Sequence, residues 1–71
     1  MADYAKILAT NVKARRKELK LSQEKLALES KIDRTYISGI ERALRNPSLD
    51  LLVRLAKRLK TTPGKLLTPP D

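Results

Sequence analysis

The stretch from Ser22 to Arg42, SQEKLALESKIDRTYISGIER, constrains the fold of this chain more than any other. It reads as two short helices about a tight turn: Gln23 to Ser30, then Lys31 to Asp33, then Arg34 to Arg42. Small Ala27 stands where two such helices would cross closely. Ile32, Ile37 and Ile40 are spaced to close over Leu26 and Ala27. Ser22 and Asp33 precede the two helices, where a short side-chain oxygen accepts an otherwise unpaired backbone N–H.

Around this centre the same rules predict further helices. Over residues 4 to 19, Leu8, Val12 and Leu19, with Tyr4 and Ala9 near them, form one apolar stripe. Lys13, Arg15, Arg16 and Lys17 gather in its last turns, where cations complement the helix dipole. Pro47 disfavours helix at Asn46, so Arg42 to Pro47 is a loop. Ser48 can cap a fourth helix, Leu49 to Leu59, whose core stripe is Leu49, Leu52, Leu55 or Ala56, and Leu59. Thr62 and Pro63 open a last single turn through Leu67. Residues 68 to 71, with Pro69 and Pro70, read as a frayed tail. The expectation is one all-α domain over residues 1 to 71, a compact five-helix bundle with no strand.

Composition narrows what such a bundle can do. With 71 residues the chain holds one small core, and its stability is modest unless it oligomerises. It has no cysteine and no histidine, which removes thiolate metal sites and the commonest general base. No glycine-rich phosphate loop or clustered carboxylate pair replaces them, so an enzyme is not expected. No apolar run approaches the roughly 20 residues of a membrane span. The charged N-terminal segment does not read as a secretory signal, so a cytoplasmic location is the default. Lysine and arginine number 16 against 8 acidic residues, a net charge of +8, which favours a polyanionic partner.

A charged, tightly turned helix pair is the pattern of a DNA-binding helix-turn-helix, whose second helix lies in the major groove. On that geometry Arg34 and Thr35 meet base edges first. Arginine matches guanine O6 and N7 with two parallel hydrogen bonds, and threonine can bond a base or touch a thymine methyl. Ser38 and Gly39 follow one turn later as further base contacts. A glycine inside a helix costs roughly 1 kcal/mol against alanine, which close approach to DNA or close helix packing would explain equally. Tyr36 either lies on the sugar-phosphate backbone or is partly buried against the first two helices. Gln23, at a helix N-terminus that favours phosphate, is a backbone contact. Lys13 and Lys17 read as solvated, with a long-range electrostatic role.

These residues carry a resemblance. Val12, Arg16, Leu21-Ser22-Gln23, Leu26-Ala27, Ile37-Ser38, Ile40-Glu41, Asn46-Pro47-Ser48 and Leu55-Ala56 with Leu59 occur in the order typical of the phage lambda-repressor-like family. That family consists of compact five-helix DNA-binding regulators, and the likeness covers roughly residues 5 to 67. The segment from Asp33 to Arg42 is similar to the recognition helix of controller proteins from restriction–modification systems.

The resemblance implies more than the spacing does. It makes Arg42, Arg45 and Asn46 contacts to the DNA backbone, with Arg45 near the minor groove. It makes Arg16 and Glu41 a partly buried salt bridge between the first helix and the recognition helix. It places a two-fold dimer contact on the last two helices, through Leu51, Leu66 and Leu67, unless Leu66 and Leu67 only close the base of the bundle. The function implied is a homodimeric, cofactor-free repressor or activator that binds an inverted repeat in double-stranded DNA. No small-molecule ligand or membrane partner is expected. An antitoxin or other protein-interaction module with autoregulatory DNA binding is the alternative. Family members often carry glycine where this chain has Lys20, Lys31 and Ala43. Either these residues adopt left-handed conformations, at about 1 kcal/mol each, or the local turns differ.

Overall fold

The structure, a computed structural model, describes residues 3–70. Five helices follow one another: α1 Tyr4–Glu18, α2 Gln23–Ser30, α3 Arg34–Glu41, α4 Leu49–Arg58 and α5 Pro63–Leu66. Each begins at a side-chain cap. Ser22 accepts from the backbone N–H of Lys25, Asp33 from Thr35, Ser48 from Leu51 and Thr62 from Lys65. Asp3 caps α1 by accepting from the backbone N–H of Lys6.

The first four helices stop in a shared way. Lys20, Lys31, Ala43 and Lys60 have φ values of 57°, 58°, 60° and 56°. The N–H of the next residue then reaches back over the turn: Leu21 to Arg16, Ile32 to Ala27, Leu44 to Gly39 and Thr61 to Ala56. This left-handed closure satisfies carbonyls that would otherwise lack a partner, and it is the site where glycine is ordinarily found. Lys20, Lys31 and Ala43 therefore take the left-handed alternative; Lys60 is a fourth case that the sequence did not signal.

The core is aliphatic. Leu8 and Val12 of α1, Leu26 and Ala27 of α2, Ile37 and Ile40 of α3, and Leu52, Leu55 and Ala56 of α4 interlock, with Ile32, Leu59 and Leu66 closing the gaps. α3 packs against both α1 and α2, and α4 joins α2 to α5. The C-terminal helices are also fixed from α1 by polar side chains. The Arg15 Nε donates to the Leu59 carbonyl at 2.8 Å. The Asn11 amide donates to the carbonyls of Leu66 and Thr68, both at 2.8 Å. On the other flank Arg58 pairs with Glu29, and Arg54 donates to the Lys31 carbonyl at 3.1 Å, tying α4 to α2.

Four expectations need correction. Leu49 is not core: it is the first residue of α4, projects past the bundle and is 74% exposed. Tyr4, placed likewise at the start of α1, is exposed too. Leu66 is only 2% exposed, because the α1 clamp folds α5 inward, so it closes the base of the bundle and offers no surface to a partner. Thr68 is not frayed: its carbonyl is held by Asn11 and its hydroxyl donates to the Gly64 carbonyl at 2.8 Å. Asp71, the last residue of the expected tail, lies outside the described residues.

Candidate nucleic-acid interface

The orientation of α3 is set from inside the fold. Ile37 and Ile40 anchor one side in the core. At the C-terminal end, Glu41 is buried, which for a carboxylate requires partners. It has three. The Arg16 Nε lies 2.7 Å from Oε2, the second Arg16 nitrogen 3.0 Å from Oε1, and the Gln23 amide nitrogen 3.1 Å from Oε1. Arg16 also donates to the Leu21 carbonyl at 2.8 Å. One carboxylate thus joins α1, the start of α2 and the end of α3. Burial pushes the Glu41 carboxyl up. The hydrogen bonds from Arg16 and Gln23, with the charges of Arg16 and Lys13, outweigh that and hold it below its ordinary value. The bond to Glu41 holds Arg16 above its own ordinary value, against the cost of desolvation.

This hub changes the reading of Gln23. Its side chain, expected on a phosphate, donates to Glu41 and belongs to the scaffold.

On the outer side of α3, Arg34 and Thr35 are exposed on the first turn and Ser38 is half-buried one turn on. The helical repeat puts Ser38 beneath both, so the three share one face. Gly39 does not join them as an open surface. It is buried, and a Cβ added to it would lie 2.7 Å from the Cγ of Arg45. The glycine is explained by this packing of the following loop.

Tyr36 stands beside it. Its ring is partly buried against the core, and its hydroxyl donates to the Asn46 carbonyl at 3.2 Å. The Arg45 guanidinium sits over the ring, 5.5 Å from its centre. Tyr36, Gly39, Arg45 and Asn46 thus form one unit that fixes the α3–α4 loop against α3. The ring is partly buried, as one of the two readings of Tyr36 has it, but the partners of its hydroxyl and ring face are Asn46 and Arg45 of the α3–α4 loop. The exposed Arg42, Arg45 and Asn46 follow α3 in one stretch. The sequence did not signal the Tyr36–Asn46 bond, since it uses a backbone carbonyl that any residue supplies.

α3 thus presents an exposed polar face on the second of two crossed helices, flanked by arginines that have no ion-pair partner among the described residues. Residues 12–66 match the helix-turn-helix family. The chain belongs to the helix-turn-helix family of transcriptional regulators. It is 50% identical over 66 residues to the control protein C.SmaI of Serratia marcescens, covering 93% of this chain and 79% of that relative. Among solved structures it is similar to the restriction–modification controller C.AhdI of Aeromonas hydrophila, with a TM-score of 0.83 and 37% identity over 87% of this chain and 94% of that one. It is similar also to SinR, a master regulator for biofilm formation solved in complex with DNA. There the TM-score is 0.82 with 32% identity, covering 86% of this chain and 98% of SinR. These relatives are regulators, not enzymes. No helix among the described residues of this regulator is long and apolar enough to cross a membrane.

Proposed function

We propose that this helix-turn-helix regulator reads a specific sequence in double-stranded DNA as a homodimer on an inverted repeat. In this reading it serves, like the control proteins it is similar to, as the controller of a restriction–modification operon in the cytoplasm. The observation that carries the reading is the outer face of α3. Arg34, which has no ion-pair partner among the described residues, and Thr35 are exposed on a helix mounted by the Glu41 hub. A recognition helix needs such a fixed mount, because base-edge hydrogen bonds reward only accurate placement. Arg34, Thr35 and Ser38 read bases. Arg42, Arg45 and Asn46 position the protein on the backbone, with Gln23 at the start of α2 beside them. Gly39 acts by letting Arg45 pack closely.

The dimer is supported by apolar surface at the end of the bundle. Leu49 and Val53 stand one turn apart on α4, exposed, with Leu51 and Leu67 only partly covered. Burying them in a two-fold contact would stabilise a small core and set two recognition helices about 34 Å apart, one turn of DNA. No cofactor enters this reading; protein concentration and dimerisation control occupancy.

Selection of bound duplexes from a random DNA pool near physiological salt tests it. Enrichment of an inverted repeat with half-sites one turn apart is expected. Weak, salt-sensitive binding without enrichment would refute sequence readout.

A further inference from the structure

The side of α1 that faces the end of α3 carries charge that the proposed readout does not use. Lys6, Lys13 and Lys17 recur at helical spacing along α1, and with Arg42 they wall a groove of about 470 Å³. Short side chains, Ala9, Ala14 and Ala43, form its floor. All four cations are exposed, and none has an ion-pair partner among the described residues. Arg15, Arg16, Lys25, Arg54 and Arg58 are each paired with a carboxylate; other cations are also without an ion-pair partner among the described residues, so it is the alignment of these four along one groove that distinguishes them. The one carboxylate in the groove, Glu41, already has both oxygens occupied by Arg16 and Gln23.

A row of unneutralised cations repels itself, and the molecule tolerates it only because the row faces water. From Lys6 to Lys17 the row runs about 16 Å along the helix, so it suits a line of negative charge more than a single ion. It meets the candidate interface directly, since Arg42 belongs to both.

We propose that the α1 groove is a second contact with the sugar-phosphate backbone, in which Lys6, Lys13 and Lys17 neutralise phosphates outside the bases read by α3. The inference rests on the reading of α3 as the DNA-reading helix. These lysines add affinity without selecting sequence, because phosphates carry no base identity. Each phosphate neutralised releases condensed counterions, so each contributes about 0.9 to the slope of log affinity against log salt.

The test is a salt titration of three full-length variants on one duplex recovered from the pool selection, from about 50 to about 300 mM salt. The first is Lys6→Gln/Lys13→Gln/Lys17→Gln. The second, Lys57→Gln/Lys60→Gln/Lys65→Gln, removes the same charge from exposed positions on and beside α4 and α5. The third replaces the three groove lysines with arginine. The groove variant is expected to lose about 2 to 3 in slope per protomer, with unchanged base preference in the selection. The second variant should lose less than about 1 per protomer, and the arginine variant should keep the native slope. Equal losses in the first two variants would overturn the groove contact and leave the α3 reading standing; that is also the outcome if the groove instead takes an acidic protein segment. A native protein that enriches no sequence would overturn both.

Discussion

Arg45 lies where a side chain on Gly39 would have to be: a Cβ there would meet the Arg45 Cγ at 2.7 Å. The glycine does not have a left-handed φ, so alanine would by itself favour the helix by roughly 1 kcal/mol. In the native background that gain is offset by displacing Arg45 from the Tyr36 ring. In an Arg45→Ala background nothing opposes it. Denaturant unfolding of the two single variants and the double variant should therefore show Gly39→Ala stabilising by about 1 kcal/mol only where Arg45 is absent. Equal effects in both backgrounds would contradict the packing explanation.

Removing Arg16 leaves a buried carboxylate with only the Gln23 amide for company. Breaking one side of such a pair costs about 3 to 5 kcal/mol, a large share of what a chain this small commands. Arg16→Ala is expected to unfold at much lower urea concentration than the native protein. A shift no larger than that of Arg15→Ala, whose guanidinium also bonds main-chain carbonyls, would show the hub to be unimportant.

The same hub makes stability depend on pH in a defined direction. The folded Glu41 value lies below the ordinary 4.5. Its contribution is therefore fully present above that pH and is lost as pH falls through the lower folded value. Glu29, paired with Arg58 and Lys25, is lowered as well and acts in the same sense. Glu41→Gln should be less stable at neutral pH, yet its stability should decline less steeply than the native protein's below pH 4.5. Urea midpoints measured from neutral to acid pH give the comparison.

Lys31 and Ala43 hold left-handed conformations that suit glycine better. Lys31→Gly and Ala43→Gly should each stabilise by up to about 1 kcal/mol, less what glycine's freer unfolded chain costs. In a domain of this size that is a rise of several degrees in Tm at most. The two positions cap different helices, so the gains should add. A fall in Tm for both would show that the closures do not strain the chain.

Arg34→Ala should relax base preference at one position of each half-site and weaken specific binding by about 1 to 3 kcal/mol. Gln23→Ala should weaken specific and scrambled duplexes alike, and should also lower the melting temperature because Glu41 loses a donor. Titrations on matched duplexes, together with a thermal melt, separate reading from mounting.

The parts of this structure that could be read from sequence are those with local causes. The helix pair from Gln23 to the end of α3 follows from Ser22 and Asp33 as caps and from the isoleucine spacing, and both features lie within a few residues of what they determine. The Arg16–Glu41 bridge was legible only through resemblance, since nothing local to either residue requires the other. Leu49 shows where periodicity misleads: it continues the α4 stripe in spacing, but as the first helical residue it has nothing packed above it. Leu66 and Thr68 show the opposite case. Their burial and order depend on an amide on α1, far away in sequence, that bonds to main-chain carbonyls. Such a bond leaves no trace in the identity of the residue that accepts it. Gly39 is ambiguous in the sequence because its neighbour, Arg45, lies on a loop whose path the sequence does not give.

That dependence on main-chain carbonyls has an evolutionary side. Asn11 and Arg15 grip α4 and α5 by atoms that every amino acid carries. The outward side chains of those helices can then be exchanged over generations without moving the helices themselves. The dimer surface proposed for those helices can thus change its pairing specificity while the mount of α3 stays the same.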